Sequence, residues 1–98
     1  MITYNLVVNE EQRQYEFHIK GYIPKIEYFK TNNGEIYLTH TEVPYPLEGQ
    51  GIGTELVVQT LGHIEKEGLR LVPLCPFVVD YIKRNPQWRK IVMKGEII

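Results

Sequence analysis

The sequence predicts an α+β fold (α/β in some schemes), a mostly antiparallel sheet flanked by two helices. Three observations carry this. Period-two alternation and hairpin signals fill the first half of the chain. Apolar residues at helical spacing begin at once after a glycine-dense turn. A nearly continuous apolar run then precedes a second, shorter helical segment.

The elements follow in order. Leu6-Val7-Val8 is a short apolar run before the polar cluster Asn9-Glu10-Glu11-Gln12, which reads as strand, turn, strand. From Gln14 the chain alternates, with Tyr15, Phe17 and Ile19 on one side and Gln14, Glu16 and His18 on the other. That argues for a half-buried strand ended by Lys20-Gly21. Ile23 to Thr31 is a third strand, with Pro24 suited to its start or to an edge. Asn32-Asn33-Gly34 is a hairpin signal, because Asn and Gly tolerate positive φ. Glu35 to Val43 is the fourth strand, with Ile36, Leu38, His40 and Glu42 expected on one face.

Pro44-Tyr45-Pro46 ends that strand, and Leu47 leads into the glycine turn. From Ile52, Leu56, Val57, Leu61 and Ile64 recur at helical spacing, and Gly68 supplies a stop. Leu69 to Leu74 is a fifth strand whose apolar run suggests burial on both faces. A short helix follows from Pro76 to about Arg84, and Asn85-Pro86 ends it. Ile91-Val92-Met93 reads as a final short strand.

With 98 residues, one domain spanning 1–98 is expected. The formal net charge of −1 argues against a nucleic-acid binder that works by neutralising phosphates. No apolar stretch reaches membrane-spanning length, and the first residues lack the regions of a signal peptide. One cysteine excludes an internal disulfide framework, so a cytoplasmic, reduced, soluble protein is expected. No set of His, Cys or carboxylates has metal-ligand spacing, and no metal is expected.

The turn Glu48-Gly49-Gln50-Gly51-Ile52-Gly53-Thr54 is the main functional signal. Amides at a helix start have no partner within the helix, and the helix dipole adds positive potential there, so such a turn can hold a phosphate. Glycine also lets backbone approach a ligand closely. Two nucleotide motifs fail. No lysine follows Gly53, as a P-loop needs, and Thr54 stands where the dinucleotide fingerprint needs its third glycine. The alternative is a turn that needs glycine for geometry alone.

Four antiparallel strands, then Gln50-Gly51-Ile52-Gly53 opening the main helix, then an apolar strand, resemble the GNAT superfamily of acyl-CoA-dependent N-acetyltransferases. His40-Thr41-Glu42-Val43-Pro44, Pro73-Leu74-Cys75-Pro76-Phe77 and Asn85-Pro86 extend the resemblance to its small single-domain YjdJ-type members, over roughly residues 35–88. The resemblance implies a minimal GNAT-like fold and acetyl-CoA as cosubstrate. It implies a coenzyme site at Gly49, Gln50, Gly51, Ile52, Gly53, Thr54 and Asn85. The family places Arg or Gln three residues before its first signature glycine; here that position is Glu48, a carboxylate where pyrophosphate is expected. This branch also lacks the helices that larger members insert after their first strand, so the acceptor is not legible.

Acyl transfer from a thioester to an amine needs a proton acceptor for the amine, donors for the developing oxyanion, and a proton for the departing thiolate. Cys75 stands at or near the cap of the short helix, with Pro76 at its first position. A helix N-terminus favours the thiolate, so Cys75 suits an acyl-accepting nucleophile or an acid near the coenzyme sulfur; the alternative is an inert buried cysteine. His40 and Glu42 lie two apart on one strand, about 7 Å from each other on a shared face, and either could take the amine proton. The plain alternatives are a hydrogen-bonded histidine and a solvated carboxylate. Asn85 could contact coenzyme or cap its helix, and Tyr81 could face the coenzyme arm or pack in the core.

The expected function is an acetyl-CoA-binding N-acetyltransferase acting on a small-molecule or peptide amine, with Cys75, His40 and Glu42 at the reacting centre. The rivals are a non-catalytic acyl-CoA-binding module and a thiol-based redox protein using Cys75.

Overall fold

The computed structural model describes residues 4–96. Five strands, β1 (Val7–Asn9), β2 (Gln14–Glu16), β3 (Lys25–Lys30), β4 (Glu35–Glu42) and β5 (Arg70–Pro73), form one sheet in chain order. The first four pair antiparallel, and β5 joins β4 in parallel. Helix α1 (Ile52–Lys66) is the crossover that a parallel pair requires, and α2 (Pro76–Arg84) follows β5. The mostly antiparallel sheet with two helices matches the expected α+β class.

The hairpin between β2 and β3 continues beyond its regular ladder. Phe17 N–H donates to the Pro24 carbonyl, and Ile19 and Tyr22 exchange both backbone bonds around a Lys20-Gly21 turn. Both turn residues have positive φ, 50° and 83°. Regular pairing stops at Glu16 because Pro24 has no N–H to donate. The expected alternation nevertheless holds, since Tyr15, Phe17 and Ile19 are all buried. At the next hairpin only Gly34 takes positive φ, 81°, so the two asparagines do not need it.

The expected final strand is reduced to one parallel bridge, Leu71 to Val92, with Met93 N–H on the Leu71 carbonyl. Residues Pro86–Ile91 wind instead into a 3-10 segment, which Lys90 ties to Glu65 of α1 at 2.7 Å.

The core lies between the sheet and the helices. Tyr15, Ile26, Tyr28, Ile36, Leu38 and Leu71 from the strands meet Leu56, Val57, Leu61 and Ile64 of α1 and Val78 and Ile82 of α2. The opposite sheet face carries the Phe29–Tyr37 ring pair and Val72 at one end and is polar at the other. Its polar cross-strand rows are Gln14, Glu27 and His40, then Glu16, Lys25 and Glu42.

One residue changes the geometry of β4. Tyr28 pairs with Leu38, but Glu27 pairs with His40, so Thr39 is an extra residue on β4. Such a bulge reverses which side chains face the core beyond it. Thr41, opposite Ile26, is therefore on the helix-covered face with Ile36 and Leu38, while His40 and Glu42 are turned to the polar face. The expectation that His40 and Glu42 share the face of Ile36 and Leu38 is overturned by this one-residue insertion.

Glu16 is buried although it points to the polar face. Burial alone would raise its carboxyl. Hydrogen bonds from Gln14, His18 and Asn9, with the charge of His18, outweigh burial and hold it below the usual carboxylate range. A carboxylate lowered by folding stabilises the fold above its unfolded value, about 4.3, and that contribution is lost as pH falls through the folded value. Urea midpoints measured against pH should therefore show Glu16→Gln less stable than the wild type at pH 7. The two curves should converge as pH falls below about 4.3.

Candidate functional site

Strands β4 and β5 part company at Leu38. Their pairing ends at Leu38 and Pro73, and Pro73 has no N–H to extend it. The Leu38 carbonyl then accepts from both Leu74 and Cys75 N–H, each at 3.0 Å, as the chain turns into α2. Pairing of β4 with β3 runs on to Glu42, so β4 continues past β5 with one edge free of a neighbouring strand.

A cavity of about 410 Å³ opens beside this stretch. Thr41 and Val43 form one wall, the turn from Glu48 to Thr54 another, and Leu47, Ile52 and Phe77 contribute apolar surface. Gly49 and Gly51 have φ of 79° and 76°, the left-handed region that disfavours other residues. Gly51 caps α1, whose first internal bond runs from Glu55 N–H to the Gly51 carbonyl at 3.0 Å. The amides of Ile52, Gly53 and Thr54 therefore have no hydrogen-bond partner among the described residues, and all three residues line the cavity.

Gly53 is favoured for a different reason. A Cβ there would lie 2.9 Å from Phe77 Cζ and 3.3 Å from Val43 Cγ2. The starts of α1 and α2 thus meet at a glycine and an aromatic ring.

Of the coenzyme-site residues expected from sequence, Gly49, Gly51, Ile52, Gly53 and Thr54 line this cavity, as does Glu48. Gln50 does not; its side-chain amide donates to the Pro46 carbonyl at 3.3 Å and braces the turn. Asn85 lies in an adjoining, more open depression with Thr54, Tyr81 and Arg84. Its side chain donates to the Tyr81 carbonyl at 2.9 Å, so it caps α2 while also lining that surface. Arg84 brings a cation to the depression, whereas no Lys or Arg lines the main cavity among the described residues.

Cys75 is at the N-cap of α2 and only 4% exposed. Its Sγ lies 3.0 Å from Thr41 Oγ1. His40 and Glu42 are on the other side of β4, with Nε2 and Oε1 3.4 Å apart and both side chains more than half exposed. The structure thus brings Cys75 to Thr41 beside the cavity and sets His40 and Glu42 on the opposite face. Thr41, Val43, Leu47, Phe77 and Arg84 were not singled out from sequence. For Thr41 and Val43 a signal existed: the apolar phase moves from even positions of β4, Ile36 and Leu38, to the odd position Val43 just beyond it.

Among the described residues, no group of three or more His, Cys, Asp or Glu is placed to hold a metal ion. None of the described helices is long and apolar enough to cross a membrane.

A sequence profile of the GCN5-related N-acetyl-transferases matches residues 14–91. The chain belongs to that family. It is similar in fold to a GCN5-like protein from Staphylococcus aureus determined by NMR. The TM-score is 0.71 at 20% identity, and the match covers 98% of this chain and 94% of the other. A comparison with curated proteins finds no match.

Alanine in place of an interior helix glycine ordinarily stabilises by about 1 kcal/mol. At Gly53 the contact with Phe77 should reverse that gain, since overpacking costs about 1–3 kcal/mol. Urea denaturation should show Gly53→Ala destabilising in the wild-type background and less so when Phe77→Ala is also present, with the Val43 contact remaining in both.

Proposed function

We propose that this chain is an acetyl-CoA-binding N-acetyltransferase that moves an acetyl group onto a small-molecule or peptide amine. The observation that carries the reading is the set of unpartnered amides at Ile52, Gly53 and Thr54. They line a cavity whose other wall holds Thr41, hydrogen-bonded to Cys75. Family membership supplies the reaction class.

The residues fit the coenzyme in three respects. Free amides and the positive end of α1 suit a pyrophosphate. The apolar surface of Val43, Leu47, Ile52 and Phe77 suits the methylene-rich arm. Arg84 with Asn85, next to Thr54, offers donors to a further phosphate. Glu48 is the misfit, a carboxylate on the cavity wall.

Acetyl-CoA would supply the thioester to be transferred. In this reading the free edge of β4 admits the coenzyme arm, and the amine approaches from the polar sheet face. His40 or Glu42 takes the amine proton there, and both are solvated enough to pass it to water. Cys75 either protonates the departing thiolate or carries the acetyl group between two steps. The protein works as a single domain in the cytoplasm, without a metal.

The second reading, a non-catalytic acyl-CoA-binding module, is favoured by Glu48 on the cavity wall and by the shielding of Cys75. That shielding weighs against the redox reading, which needs an accessible thiol.

Thermal denaturation with acetyl-CoA tests the coenzyme step. A saturating ligand at about 100 times its Kd stabilises by about 2.7 kcal/mol, and an unchanged Tm at millimolar acetyl-CoA would sink the proposal. Glu48→Gln should tighten binding about two- to fivefold, the scale of one exposed charge interaction. Turnover on a panel of polyamines and lysine peptides separates enzyme from module. Mass spectrometry should find a covalent acetyl adduct that Cys75→Ala abolishes if the two-step route operates, and no adduct on the wild type if transfer is direct.

A further inference from the structure

Beyond the α2 N-terminus itself, the Cys75 thiol has one side-chain partner to stabilise it as an anion. It is 4% exposed, and it caps α2 without accepting a side-chain cap bond from that helix. The first helical position is Pro76, which has no N–H to offer. Its own N–H is taken up by the Leu38 carbonyl. Among the described residues, the one hydrogen-bond partner of Sγ is Thr41 Oγ1 at 3.0 Å. Thr41 also lines the cavity wall, whereas Cys75 does not. Thr41 is therefore the residue that touches both the sulfur and the cavity wall.

We propose that Thr41 is a positioning residue for the thiol. Its hydroxyl donates to Sγ, holds the sulfur toward the cavity and stabilises the thiolate when the Sγ proton leaves to solvent. A buried anion without a donor is costly, and a hydrogen bond to a charged group is among the stronger ones. The Thr39 bulge makes the contact available by turning Thr41, and not His40, to the side of α2. The catalytic consequence rests on the acyl-transfer reading of Cys75, but the effect on the sulfur does not.

The test uses the full chain with ¹³C-labelled cysteine. Cys75 is the one cysteine, so its ¹³Cβ resonance reports ionisation without a reagent having to reach a buried site. Titrations of the wild type, Thr41→Val and Thr41→Ser are compared. Thr41→Val keeps shape and loses the hydroxyl; its midpoint should move to higher pH by about one unit, a tenfold smaller thiolate fraction at a given pH below it. Thr41→Ser restores the donor and should titrate within a few tenths of the wild type. A Thr41→Val curve superimposable on the wild type overturns the proposal, and so does a Thr41→Ser curve that follows valine. If Thr41→Val does not fold, Thr41→Ala is read by the same criteria. Acetyl-CoA is absent throughout. A protein that shows the shift but never binds acetyl-CoA keeps the Thr41 assignment and loses the acyl-transfer reading. A protein that binds and turns over without the shift does the reverse.

Discussion

The site depends on one extra residue in one strand. If Thr39 were paired regularly and not bulged, β4 would carry one alternation from Ile36 to Glu42, and the helix-covered face near α2 would present His40 and Glu42. Two solvated, ionisable side chains would then face an apolar cavity and a buried sulfur, an arrangement that desolvation opposes. With Thr39 bulged out of the ladder, a neutral hydroxyl and the methyls of Val43 take that face, and the ionisable pair remains in water. The bulge comes where β5 leaves the sheet, so the twist it adds is not resisted by a second neighbouring strand.

The other wall illustrates how glycine can be required for unrelated reasons within five residues. Gly49 and Gly51 are required by torsion, whereas Gly53 sits in ordinary helical backbone and is favoured by the closeness of the Phe77 ring and Val43. The resulting positive potential comes from peptide dipoles and not from side chains. Glu48 and Glu55 are the charged residues around this turn, and Glu55 is engaged by Gln59 at 2.8 Å. In the coenzyme reading proposed above, a site built this way recognises an anion by geometry. It does not carry the cationic charge that would attract nucleic acid indiscriminately.

Most of the fold was legible in the sequence. Alternation in Gln14 to Ile19, helical spacing from Ile52 to Ile64, and the paired stops at Gly68 and Asn85-Pro86 are local signals, and local physics decides them. What was not legible depended on pairing. Thr39, His40, Thr41 and Glu42 are all polar, so an inserted residue leaves almost no mark on the pattern, and only Val43 betrays the change of phase. The role of Gly53 depends on Phe77, 24 positions away. The partner of Cys75 depends on Thr41, 34 positions away. The tail after Trp88 reads as a strand by composition, but Leu71 offers it a single bridge, and the 3-10 segment uses up the residues that precede it.

The Leu38 carbonyl has one more implication. Both of its lone pairs are used, one by the last residue before the bend and one by the first residue of the cap. The end of β5 and the start of α2 are therefore moored to the same oxygen atom on β4. If that mooring slips, the Leu74 and Cys75 amides are released together. The end of the strand and the start of the helix thus share one anchor, so a shift of β4 at Leu38 moves both at once.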